Sequence, residues 1–72
     1  MEYREEVNKV IRLIEYYQKI FAEHNVKPFS ETEIRAFIMG YEAGANIKFS
    51  PNEWDYMIKK LTKELEAKDE GD

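Results

Sequence analysis

Seventy-two residues, 43% of them hydrophobic and 36% charged, with no cysteine and a formal net charge of −4, set narrow limits. A chain of this length holds one domain with a small core, and its apolar-to-charged balance is that of a folding sequence. Mild acidity disfavours non-specific binding to nucleic acid or anionic membrane, and the missing cysteine excludes disulfide staples.

The first segment, about residues 2–24, repeats Tyr3, Val7, Val10, Ile14, Tyr17 and Phe21 at helical spacing. Glu2, Glu5 and Glu6 complement the dipole of its first turn. Glu5 with Lys9, and Glu15 with Lys19, are acid-first pairs four residues apart. Asn25 tolerates the left-handed conformation of a helix C-cap, Val26 is placed to pack back on Phe21, and Pro28 prevents continuation. His24, the single histidine, sits where a partial positive charge suits the helix end and is not expected to act as a base.

A second helix, residues 31–45, follows Phe29-Ser30-Glu31-Thr32-Glu33-Ile34. Ser30 and Glu33 have the spacing of a capping box, with Phe29 and Ile34 as its hydrophobic staple. The third helix, about residues 51–67, follows Phe49-Ser50-Pro51-Asn52-Glu53-Trp54. Ser50 and Glu53 repeat the box, Phe49 and Trp54 repeat the staple, and Pro51 takes the first helical position. Asn25-Val26-Lys27 precedes the first signal and Asn46-Ile47-Lys48 the second. This local repeat reads most simply as two good helix starts, with duplication of a helix unit as the alternative. Asp55–Lys59, Lys60–Glu64 and Glu64–Lys68 are spaced to lace the exposed side of the third helix. The polar end from about residue 68 is expected to fray. Short connections between the helices predict an all-α, antiparallel three-helix bundle, residues 1–72 forming one domain.

Little in the chain suggests catalysis. Both serines are used as caps, no His/Cys pair has zinc spacing, and Gly40, Gly44 and Gly71 lack the context of a phosphate loop. Neither an enzyme, a cofactor nor a metal is expected. A helix-turn-helix made of the second and third helices would present Pro51-Asn52-Glu53-Trp54-Asp55-Tyr56, which sets carboxylates against phosphate and offers no arginine for guanine edges. The basic stripe of Lys59, Lys60 and Lys63 beside Tyr56 lies further along, where a solvated face is the simpler reading. Nucleic-acid binding is therefore not favoured. No apolar run is long enough to cross a bilayer, the first residues do not read as a signal peptide, and a cytoplasmic location is expected.

The informative anomaly is the second helix. From Ala36 to Tyr41 it reads Ala-Phe-Ile-Met-Gly-Tyr with no charge. Ile34, Phe37, Ile38, Tyr41 and Ala45 form its core stripe, while Ala36, Met39, Gly40 and Ala43 fall toward the opposite side. Gly40 and Gly44 each cost about 1 kcal/mol relative to alanine. With Ala36 they make a row of small residues that permits close approach, either by a tyrosine of the first helix or by a second molecule. The first helix carries a surplus of its own in Leu13, Tyr16 and Ile20. The expected function is a non-enzymatic protein-interaction module: a small helical regulator, inhibitor or adaptor of bacterial or phage type. Its expected binding residues are Tyr16, Ile20, Ala36, Met39, Gly40, Ala43 and Gly44. A homodimer through the second helix and a DNA-binding regulator are the alternatives.

Overall fold

The computed structural model describes the backbone from residue 3 to residue 70 and the side chains from residue 3 to residue 62. Three helices follow in order, α1 (Glu5–Glu23), α2 (Glu31–Ala45) and α3 (Pro51–Glu70), and each packs against the other two. Arg4 meets Glu53, joining the start of α1 to the start of α3. Phe21 meets Phe29, joining the end of α1 to the residues that open α2. The middle helix therefore runs counter to its neighbours, as the short loops require.

Both loops turn by the same device. Asn25 and Asn46 have φ of 58° and 55°, the left-handed region that asparagine tolerates better than most residues. The Val26 N–H donates to the Phe21 carbonyl (2.7 Å), and the Ile47 N–H to the Glu42 carbonyl (3.0 Å). Each is the wide closing bond of a Schellman-type ending. Both helix starts then carry complete capping boxes. The Glu33 N–H donates to Ser30 Oγ at 3.2 Å, and the Ser30 N–H to Glu33 Oε1 at 2.9 Å. Ser50 and Glu53 reproduce the pattern at 3.2 and 2.8 Å.

The helix ends differ from expectation at two places. The first helix begins at Glu5, not at about residue 2, because Arg4 is extended (φ −58°, ψ 154°) and acts as its N-cap. The Tyr3–Arg4 strand of chain is committed elsewhere: the Tyr3 ring stacks on Tyr56 with centroids 4.2 Å apart. At the other end α3 continues to Glu70, beyond the expected end at about residue 67. The expected pairs of Glu64 lie outside the described side chains.

The core consists of Val7, Val10, Ile11 and Ile14 from α1, Ile34 and Ile38 from α2, Phe49 from the second loop, and Met57, Ile58 and Leu61 from α3. The buried arc of α1 is wider than one stripe, since it faces two helices, and it takes in Ile11 and Gln18 as well. Gln18 is only 7% exposed, and its Oε1 accepts no hydrogen bond among the described residues. Tyr17, expected in the core, is instead 38% exposed and meets Phe37 edge-on at 6.1 Å. Ala45, the last residue expected in the α2 stripe, is exposed because α2 ends there.

A hydrogen-bonded clasp ties the chain start to the second loop. Arg4 Nε donates to Glu53 Oε2 (2.7 Å), and Arg4 Nη2 donates to Glu53 Oε1 and to the Lys48 carbonyl (both 2.8 Å). The guanidinium also lies 5.5 Å from the Phe49 ring centroid. Glu42 supports the same loop from α2, its Oε2 accepting the Phe49 N–H at 2.7 Å. Arg4 thereby joins the second loop and the start of α3 to the start of α1, and Glu42 joins that loop to the end of α2.

Candidate functional site

The seam between α1 and α2 is aromatic. Phe21, Phe29 and Phe37 follow one another at centroid separations of 5.1 and 6.1 Å. Tyr17 meets Phe37, and Tyr16 tilts against Tyr17 at 5.9 Å. At the far end of the seam Tyr41 stacks on Phe49 at 6.2 Å. Two of these rings, Tyr16 and Tyr41, border the gap between α1 and α2.

A hollow of about 430 Å³ lies there, lined by Lys9, Arg12, Leu13 and Tyr16 of α1 and by Tyr41 of α2. Its α1 residues recur at offsets of three, four and seven, so they share one flank of that helix. Leu13 and Tyr41 are half-buried and form its floor, while Tyr16 is 59% exposed and forms its rim. Lys9 keeps only a long, exposed pair with Glu5 (3.9 Å). Arg12 is exposed and makes no ion pair among the described residues.

Gly40 and Gly44 stand three residues beyond Phe37 and Tyr41, so they fall on the same flank of α2, further from the core. A Cβ added at either glycine would meet nothing within 4 Å. Packing of an α1 tyrosine against this row, one of the readings the sequence allowed, does not occur. The glycines leave that flank of α2 open, next to Tyr41, which lines the hollow.

Neither a family model nor a curated protein nor a solved structure matches this chain.

The expected binding residues are all accessible to some degree, but they divide between the two flanks of α2. Exposed Tyr16 and half-buried Ile20 lie on α1, and Gly40 and Gly44 lie on the α1 flank of α2. Met39, 60% exposed, and Ala43 line a second hollow of about 520 Å³ with Glu42, Asn46, Ile47 and Lys48. Ala36 lies between the two flanks and is exposed. Lys9, Arg12 and Tyr41 were not among the residues expected at the site. The recurrence of Lys9, Arg12, Leu13 and Tyr16 on one flank was the available signal.

The basic stripe of α3 is largely engaged. Lys59 pairs with Asp55 at 3.1 Å, Lys60 lies 5.8 Å from the Tyr56 ring centroid, and Tyr56 itself stacks on Tyr3. Lys63 lies outside the described side chains. Among the described residues no group of three or more His, Cys, Asp or Glu is placed to hold a metal ion, and no helix is long and apolar enough to cross a membrane.

Proposed function

We propose that the chain is a non-enzymatic protein-interaction module, a small helical regulator, inhibitor or adaptor, that binds a partner protein through the surface of α1 and α2. One observation carries this reading: α2 holds two glycines whose outer side is open, in a stretch with no charge between Arg35 and Glu42. In a helix each glycine lowers stability by about 1 kcal/mol relative to alanine. Among the described residues no packing offsets that cost, whereas an approaching partner would. Exposed Tyr16 and Met39 are residue types that protein interfaces favour.

Leucine at position 40 separates folding from binding. Gly40→Leu is expected to raise the melting temperature by a few degrees, because it removes a helix-weakening glycine without a clash. The same variant should lose proteins that the unchanged chain retains from a lysate of its source. Identical retained sets would remove the α2 surface from consideration.

A second copy of the chain is the other reading that the open glycine row favours, since two such rows can pack together. Sedimentation at micromolar concentration distinguishes it: a dimer that dissociates on Gly40→Leu is its signature, and a monomer excludes it. The DNA-binding alternative has no comparable support, with Lys59 and Lys60 engaged as described.

A further inference from the structure

The chemistry of the α1–α2 hollow narrows the partner, on the premise that the chain is an interaction module. Three helices that each pack against the other two leave an outer groove along every pair, and a fourth helix laid in the α1–α2 groove completes a four-helix arrangement. Three properties of this seam suit a helical occupant. Its floor is apolar, formed by Leu13 and Tyr41. Its α2 side, lined by Tyr41, adjoins the flank of Gly40 and Gly44, whose open outer side admits another backbone closely. Its α1 rim carries two cations, Arg12 and Lys9, the latter in a long pair with Glu5.

The cations and carboxylates from residue 1 to residue 63 are equal in number, so the whole net charge of −4 resides in residues 64–72. The body of the chain is electrically balanced, and within it Arg12 is a cation without an ion-pair partner among the described residues. A carboxylate brought beside it would gain a charge-assisted bond where the chain itself supplies none. A cationic segment would meet repulsion there instead.

We infer that the α1–α2 seam receives an amphipathic helix of another protein, with small or aliphatic residues facing Gly40 and Gly44 and carboxylates facing Lys9 and Arg12. The aliphatic side chains lie on Leu13 and Tyr41, and the exposed Tyr16 ring closes over one edge. This helix-in-groove mode anchors through residues spaced three and four apart. The positive rim sets the orientation and rejects basic helices.

A display library of random sixteen-residue peptides, selected on the full chain, tests this directly. Expected binders form helices on binding, repeat aliphatic residues at helical spacing and carry aspartate or glutamate at one edge. Their affinity should fall at least tenfold in Gly40→Leu and in Arg12→Glu, with unchanged or higher melting temperatures in both. Exchanging the peptide carboxylate for lysine should restore binding to Arg12→Glu. Binders indifferent to both substitutions would overturn the seam as the site while leaving the interaction-module reading intact. Selection of basic or unpatterned peptides would overturn the partner chemistry. A failure to select any binder removes the peptide-groove proposal, and the lysate comparison above then decides the broader reading alone. A dimer broken by Gly40→Leu would assign the seam to a second copy and overturn the inference.

Discussion

Glu53→Ala is expected to lower the unfolding free energy by about 2 kcal/mol, from the lost cap and the lost charge-assisted bonds. Glu53 is buried, and its carboxylate accepts N–H groups from Ser50 and Arg4, so one substitution undoes both the start of α3 and the anchor of α1. A domain of this size is stable by roughly 4–10 kcal/mol, which makes the loss a large fraction of the whole. Denaturant titration measures it, and a change under 0.5 kcal/mol, the ordinary range for surface positions, would show that the clasp is ornamental. The same group sets an acid limb. The Arg4 guanidinium N–H groups, against the opposing effect of burial and with help from the Ser50 backbone, pull the Glu53 pKa from 4.5 to about 2. A folded-state value below the unfolded one stabilises the fold fully above about pH 4.5 and progressively less as pH falls toward 2. The unchanged chain should therefore lose melting temperature across that interval more steeply than Glu53→Gln, which keeps an acceptor for the Ser50 N–H but does not titrate. Parallel acid limbs in the two proteins would contradict this role for the carboxylate.

Ile38→Ala is expected to cost more, about 3 kcal/mol, within the usual range for removing a buried isoleucine side chain. Ile38 is fully buried at the centre of the bundle, joined in one cluster with Ile14, Met57 and Leu61. The urea midpoint should fall sharply, with the slope of the transition little changed if both proteins unfold in one step. Gly40, only two positions along the same helix, behaves oppositely, since leucine there is expected to stabilise. A small effect at Ile38 would mean that α2 is held chiefly by its ends, through the Ser30 cap and the Glu42–Phe49 bond. The contrast between neighbouring positions divides the face of α2 that holds the fold from the face available for binding.

Local chemistry made most of the fold legible. Ser30 with Glu33 and Ser50 with Glu53 announce helix starts because each box is complete within four residues, and Asn25 marks an end because its own backbone turns there. What escaped depends on partners far away in sequence. Arg4 reads as one more residue of an amphipathic helix until Glu53, 49 residues later, is seen to bind it. That long-range pair is why α1 starts late. Burial of Ile11 and Gln18 escaped for a related reason: a stripe drawn for one neighbour underestimates a helix that faces two. At the candidate site, an uncharged run with Gly40 and Gly44 was visible in the chain, but the side of α2 to which each residue belongs was not. It took the position of Phe37 against Tyr17, and of Tyr41 beside Leu13, to place the glycines on the α1 flank and Met39 on the other.

The clasp between Arg4 and Glu53 also bears on how long the folded molecule survives. Closing a loop of that length costs conformational entropy before the contact returns anything. The α2–α3 unit, by contrast, is assembled from neighbours such as Tyr41 with Phe49 and Glu42 with the Phe49 N–H. Docking of the chain start is thus expected after the barrier to folding, where an interaction slows escape from the native state and leaves the folding rate alone. In stopped-flow measurements Arg4→Ala should accelerate unfolding and leave the refolding limb in place; a slowed refolding limb would put the contact in the nucleus instead. A small bundle with a marginal core thereby gains persistence from its fourth residue.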